Sequence, residues 1–226
     1  MSKILLPLRV LEDESLSPGL IGLLAPADVV VLGYYRVPDQ TPPGAAREQF
    51  GDRAQSRLDD VAAALRDAGA TVETRMVFTG EVEQTIARTA AEADADAVVH
   101  PGSAMQVEDV LVPLVGRPDL AAVAEFVASL VAERDIDVTT FALDDDLTAA
   151  DVTAALADAG VDADQLTAAD GPGGGPVDAI ASVAAEYDAI VMGEPEPSLT
   201  EWVFGELEDR VATESLGPVF VVRARE

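Results

Sequence analysis

The chain has 226 residues, 49% of them hydrophobic, which is enough apolar surface to bury a core. It has no cysteine, so disulfides and thiolate chemistry are excluded. Its formal net charge is −28, from 42 acidic and 14 basic side chains, and this argues against nucleic acid as a partner because phosphates attract a basic surface.

The charge is unevenly distributed and almost free of lysine. Lys3 is the only lysine, and the other basic residues are arginines. Residues 1–107 carry 9 basic and 16 acidic side chains, net −7, whereas residues 108–226 carry 5 and 26, net −21. Salt screens the repulsion between these charges, so the composition predicts a protein from the salt-rich cytoplasm of a halophile. The less negative first half is the better candidate to face an anion or a partner.

Nothing in the sequence predicts membrane insertion or export. No apolar run approaches the ~20 residues that a membrane span requires. The N-terminus, Met-Ser-Lys-Ile, lacks the pattern of a signal peptide. We therefore expect a cytoplasmic protein that is not itself inserted in a membrane.

The first half predicts strands and helices in alternation. Gly69 is expected to end the longest helix as a C-cap. The predicted elements are a strand over 3–9, a short helix over 20–24, a strand over 28–35, a helix over 45–68, a strand over 71–78, a helix over 82–90 and a strand over 97–100.

The second half repeats this order and extends it. Thr148-Ala-Ala-Asp151 is the signature of a capping box at a helix start. The predicted elements are a strand over 110–114, a helix over 120–134, a strand over 138–143, a short helix after 148, a weak strand over 165–168, a helix over 177–187, a strand over 189–192, a helix from 198 to about 215 and a strand over 218–223.

The two halves read as copies of one domain. Residues 3–9 and 109–115 are both short aliphatic runs with a proline near the end. A repeat of roughly a hundred residues is too long for a solenoid unit and fits a duplicated domain. The sequence therefore predicts two tandem α/β domains with doubly wound parallel sheets, 1–107 and 108–226, of which the first lacks the terminal helix and strand.

Three segments of the second half resemble the universal stress protein (UspA-like) family. They are Val110–Leu114 (Val-Leu-Val-Pro-Leu), 190–193 (Ile-Val-Met-Gly) and 217–222 (Gly-Pro-Val-Phe-Val-Val). The resemblance implies two tandem domains of the adenine nucleotide alpha hydrolase-like fold, in which a pair within one chain imitates the family's homodimer. Members of the family are either nucleotide binders or non-binders.

The positions that hold nucleotide in the binders are altered here. The aspartate after the first strand is replaced by Arg9 in one half and Val115 in the other. Gly193 is retained, but the next glycine position is Glu196, and Gly205 comes one residue early. The resemblance thus implies a degraded nucleotide crevice, whose candidate residues are Arg9, His100, Gly102, Ser103, Val115, Arg117, Gly193 and Gly205.

Each charged or titratable candidate has a structural alternative. Arg9 and Arg117 follow equivalent strands and could hold an anion, or each could pair with a nearby carboxylate. His100, the only histidine, borders the same edge but has no partner spacing of a catalytic triad, and a packed histidine is the alternative. Asp144–Asp146 could hold a cation or form a solvated loop.

The last part of the chain offers an interaction surface. Val219–Val222 is an apolar strand, and in the family this strand commonly mediates dimerisation. Trp202 and Phe204 open the preceding predicted helix and could contribute to that interface or fill the core. We therefore expect a homodimer through Val219–Val222.

These observations predict a non-catalytic regulatory or ligand-binding module with no metal and no cofactor. One alternative is an accessory partner of a membrane transporter, since domains of this family often accompany permeases. A second is a stress sensor that binds ATP or AMP. An enzyme, such as a weak nucleotide hydrolase, is disfavoured because the phosphate glycines and a catalytic pair are missing.

Overall fold

The computed structural model describes residues 2–12, 15–38, 42–143, 147–194, 215 and 217–225. The chain divides into two compact units. Unit 1 is Met1–Leu16 with Ile21–Val99, and unit 2 is Ser17–Leu20 with His100–Glu226. Residues 198–214 of the last predicted helix, with Trp202 and Phe204, and the Asp144–Asp146 loop lie outside the described residues.

Unit 1 is built on four parallel strands in the order β3-β2-β1-β4. The strands are β1 (Lys3–Arg9), β2 (Asp28–Arg36), β3 (Thr71–Thr79) and β4 (Ala97–His100), and the helices are α1 (Pro18–Leu24), α2 (Pro43–Ala68) and α3 (Val82–Glu92). The first residues of α1 and the last of β4 are counted with unit 2.

Both faces of the unit 1 sheet are covered by helices. Successive side chains of a strand point to opposite faces. Leu32 of β2 packs in a core cluster with Ala90 of α3, whereas the Cα of the next residue, Gly33, faces Leu58 of α2. Strands buried on both faces explain the nearly continuous aliphatic runs of β1 and β2.

Unit 2 contains five parallel strands in the order β9-β8-β5-β6-β7. The strands are β5 (Asp109–Leu114), β6 (Asp137–Ala142), β7 (Leu166–Ala168), β8 (Ala189–Gly193) and β9 (Val219–Val222), and the helices are α4 (Leu120–Val131), α5 (Ala149–Asp158) and α6 (Pro176–Val183). The α/β class with parallel strands is confirmed in each unit.

The unit 2 sheet is likewise covered on both faces. Ile180 of α6 packs in a core cluster with Met192 of β8 and Val221 of β9. On the opposite face, Phe220 of β9 contacts Phe126 of α4, with ring centroids 5.7 Å apart. All four side chains of β9 are buried, so Val219–Val222 contributes to the core of this unit.

Local capping signals are confirmed, and two helices end three or more residues earlier than predicted. Gly69 adopts a left-handed φ of 112° after α2, and the Thr148–Asp151 capping box is present at α5. Helix α4 stops at Val131 instead of Arg134, because the chain turns through Glu133, whose φ is 59°. Helix α6 stops at Val183 and continues as a 3-10 turn over Ala184–Glu186.

Within the described residues, no helix is long and apolar enough to cross a membrane.

An aspartate before the fourth strand of each unit ties that strand to the first. In unit 1 the Asp96 carboxylate accepts the N–H of Lys3 at 2.8 Å, and the Asp96 N–H donates to the Lys3 carbonyl. In unit 2 the Asp188 carboxylate accepts the N–H of Asp109 at 3.1 Å, and the Asp188 N–H donates to the Asp109 carbonyl. The same reciprocal pair sets the register of both sheets.

The residue that pairs with this aspartate has opposite charge in the two units. The residue at the start of the first strand is Lys3 in unit 1 and Asp109 in unit 2. Asp109 pairs in register with Asp137 of β6 and lies beside Asp188. Partial burial, followed by the charges of Asp188 and Asp137, raises the pKa of the Asp109 carboxyl above its ordinary value of 3.8.

We expect Asp109→Asn to stabilise unit 2 at neutral pH. A raised folded-state pKa means that ionised Asp109 disfavours the fold above that pKa, so the gain is present at pH 7 and vanishes below the ordinary value of 3.8. Solvent screening limits the gain to about 0.5 kcal/mol. Urea unfolding at pH 7 and pH 3, with the exposed Asp170→Asn as the charge-matched control, measures it. An equal gain in the control, or a gain that persists in acid, would contradict this origin.

Candidate functional site

The crevice of unit 2 is expected where its strand order reverses, between the carboxyl ends of β5 and β8. The segment after β5 crosses this edge: Val115 packs against the core cluster that contains Met192, Gly116 adopts a φ of 66°, and Arg117 is exposed. Val115, which was predicted to replace an aspartate of the binders, is therefore part of the hydrophobic packing at this edge.

Gly193, at the end of β8, lies directly against Pro118. A Cβ atom added to Gly193 would lie 2.4 Å from the Pro118 Cβ and 3.0 Å from a methyl group of Val123. Pro118 is buried. Because Gly193 has no side chain, Pro118 can occupy the space beside it. At an unhindered glycine, the same space could admit a phosphate oxygen.

Asp119, which follows Pro118, is the N-cap residue of α4. One carboxylate oxygen accepts the N–H of Ala122 at 3.0 Å, and the other accepts the N–H of Arg225 at 3.3 Å. The hydrogen bond from Ala122 is the main cause that lowers the pKa of Asp119 below its ordinary value of 3.8. The helix N-terminus, which favours anions, already holds a carboxylate of this chain.

Position 102 also has to be a glycine, because another part of the backbone lies directly against it. A Cβ atom at Gly102 would lie 2.1 Å from the backbone carbon of Gly217, and one at Gly217 would lie 1.7 Å from the carbonyl oxygen of Asp188. The backbone after β4 and the backbone before β9 therefore approach more closely than any side chain allows. Ser103 next to them is exposed.

Arg9 is a cation at the carboxyl end of β1, and it has partners within the protein. It ends β1, its side chain is 59% exposed, and its Nε donates to the Tyr34 hydroxyl at 3.1 Å. Its guanidinium also pairs with Glu12 at 3.4 Å. The Tyr34 hydrogen bond is the main cause that raises the pKa of Arg9. The predicted alternative, a pair with a nearby carboxylate, is the arrangement seen.

The remaining candidates lie at the ends of two strands. His100 is half-buried as the last residue of β4, and Arg117 is exposed in the loop after β5. Gly205 lies outside the described residues. Of the predicted set, the structure shows Arg9 with Tyr34 and Glu12, Gly193 with Pro118, and Gly102 with Gly217. The partners Tyr34, Pro118 and Asp119 were not predicted.

A depression that the sequence did not predict lies at the opposite, amino edge of unit 2. It has a volume of about 620 Å³. Gln165 donates from its amide to the carbonyls of Arg134 and Ile136, and burial lowers the pKa of Arg134. The lining residues are Glu133, Arg134, Asp135, Asp162, Ala163, Asp164 and Gln165. Among the described residues, no group of three or more His, Cys, Asp or Glu side chains could hold a metal ion.

Several solved structures have a fold similar to that of this chain. A universal stress protein from Archaeoglobus fulgidus superposes with a TM-score of 0.66 at 17% identity, over 99% of this chain and 97% of that one. A putative universal stress protein from Pseudomonas aeruginosa gives 0.53 at 17% identity, and a functionally unknown protein from the same species gives 0.51 at 17%; both matches cover 99% of this chain and 93% of theirs. No protein-family model and no curated protein sequence matches the chain. The chain has the fold of the universal stress proteins.

We expect Gly193→Ala to destabilise unit 2 by about 1–3 kcal/mol, because the new methyl group would overlap Pro118. Gly173→Ala is the control, since no atom lies within 4 Å of its added Cβ. The double variant Gly193→Ala/Pro118→Gly should recover part of the loss in denaturant unfolding. Purely additive effects would show that the two residues do not share this space.

We expect Asp119→Ala to cost about 1 kcal/mol at pH 7, because the N-cap of α4 is lost. The carboxyl has a lowered folded-state pKa, so its contribution is present above 3.8 and is lost as the pH falls through the folded value. Asp119→Asn, which keeps a capping oxygen, should lose much less. Unfolding at pH 7 and pH 2 measures both, and an equal loss at the two pH values would contradict the assignment.

Proposed function

We propose that this chain is a non-catalytic regulatory module of the universal stress protein fold, acting in the cytoplasm of a salt-adapted cell without bound nucleotide in unit 2. The observation that carries the proposal is the contact of Pro118 with Gly193. A phosphate would need the space that this proline fills. Asp119 adds a negative charge at the same edge, which disfavours an anion unless a cation lies between them.

The arrangement of unit 1 favours a second candidate, a sensor of ATP or AMP. Arg9 ends β1 with a largely exposed guanidinium, and Tyr34 orients it from the neighbouring strand. A nucleotide phosphate would have to displace Glu12 from Arg9, and an exposed pair of this kind is weak enough to exchange. This candidate places the ligand in unit 1 and leaves the closed edge of unit 2 unused.

A duplicated domain organisation, a homodimer and contact with a transporter remain part of the proposal. The parallel sheets of both units begin with the same reciprocal aspartate pair, which supports duplication. The side chains of Val219–Val222 are buried, so a second copy could not reach this strand through its apolar side chains.

The leading proposal predicts that ATP, ADP and AMP with Mg²⁺ leave the melting temperature unchanged at millimolar concentration in multimolar KCl. A ligand present at about 100 times its Kd would add about 2.7 kcal/mol, a shift that is easily measured. Thermal shift and calorimetry on the whole chain give the two readouts.

Variants separate the candidates. A shift that disappears in Arg9→Ala but persists in the matched surface variant Arg88→Ala would overturn the leading proposal in favour of the sensor of unit 1. A shift that disappears in Gly193→Val and persists in Arg9→Ala would show that the edge of unit 2 admits nucleotide despite Pro118.

A further inference from the structure

The segment that follows β9 is attached to the start of α4 by two contacts of one residue. The backbone N–H of Arg225 donates to the Asp119 carboxylate at 3.3 Å. Its guanidinium pairs with Glu125, six residues after Asp119, at 2.5 Å. We refer to residues 223–225 as the strap.

The strap adds a contact between β9 and α4 at the carboxyl edge of the unit 2 sheet, beyond the packing of Phe220 on Phe126. At the end of β9, the Val222 carbonyl accepts the N–H of Glu194, which follows β8, at 2.6 Å. Asp119, which the strap contacts, comes directly after the Pro118 that covers Gly193. Holding Asp119 therefore also holds the proline in place.

We propose that the strap is an ionic latch, which keeps the start of α4 and Pro118 closed over the carboxyl edge of β8 and which salt loosens. Arg225 and Glu125 are each 55% exposed, so bulk ions reach their pair. Ions screen exposed pairs strongly: the Debye length falls from about 10 Å at 0.1 M salt to about 3 Å at 1 M. Salt therefore raises the rate at which this edge opens, while the closed arrangement stays the main state, as the proposed function requires.

Unit 2 contains an internal reference for such an effect. The N–H groups of Ala122 and Val123 bond the side chain and backbone of Asp119 at the start of α4. The N–H groups of Asp151 and Val152 bond the side chain and backbone of Thr148 at the start of α5 in the same way. The α5 cap is a Thr148–Asp151 capping box without a cation, so it has no ion pair for salt to screen.

This proposal goes beyond the proposed function, because it concerns the motion of an edge and not its occupant. Nucleotide titration and the latch can fail independently. Binding of nucleotide would overturn the closed-edge function without changing hydrogen exchange in the absence of ligand, and a rigid edge would overturn the latch without admitting nucleotide.

The test is amide hydrogen exchange of the whole chain, expressed as the exchange rate at Ala122 and Val123 relative to that at Asp151 and Val152. Arg225→Ala keeps the backbone bond to Asp119 but removes the ion pair, and it should raise this ratio on the order of 2- to 5-fold. Glu125→Gln should raise it equally, and the double variant should add nothing further. Arg88→Ala, which removes an exposed pair with Glu92 in unit 1, is the matched control and should leave the ratio unchanged.

Salt provides the second arm. Between about 0.3 M and about 3 M KCl, the ratio should rise in the natural protein toward that of Arg225→Ala, and it should stay constant in that variant. Because the ratio compares two helix starts of one unit, a general stabilisation by salt cancels. An unchanged ratio in both Arg225→Ala and Glu125→Gln, or an equal salt response with and without Arg225, would overturn the latch.

Discussion

The contact between Gly193 and Pro118 constrains the whole carboxyl edge of unit 2. Because Gly193 has no Cβ atom, the loop after β5 can lie directly on the end of β8. This position brings Asp119 to the start of α4, where it caps the helix and meets Arg225. A side chain at position 193 would push the loop outward and separate these groups. The fold is shared with universal stress proteins, and the space beside Gly193 is filled by Pro118; a fold by itself does not carry a function with it.

The acidic residues form more than a solvated coat. Asp96 and Asp188 fix strand register through backbone N–H groups, and Asp119 and Asp151 cap helices. A carboxylate that accepts a backbone N–H is stabilised by that bond, so a strongly acidic chain can use its excess charge structurally. The exception is Asp109, which stands beside two other carboxylates where unit 1 has Lys3, and it shows the cost of this composition.

Two glycines of the predicted crevice lie at positions of close approach, and the approaching atoms belong to the protein itself. Gly193 and Gly102 were candidates for contact with a ligand, and both are packed against protein atoms. Sequence reasoning could have found Glu12 as a partner of Arg9 from its spacing of three residues. Tyr34 was beyond such reasoning, because its position beside Arg9 follows from the register of β1 and β2.

The sequence by itself determined the order of the described strands and helices, the parallel α/β class, and the caps at Gly69 and Thr148. These features depend on periodicity and on bonds between residues a few positions apart, so local chemistry is sufficient to specify them. The tertiary structure alone decided what occupies the edge of unit 2. Arg225 and Asp119 lie 106 positions apart, and Pro118 meets Gly193 only when β5 and β8 pair. Contacts of this range leave no periodic pattern in the chain, because they arise from the packing of elements that are each specified separately.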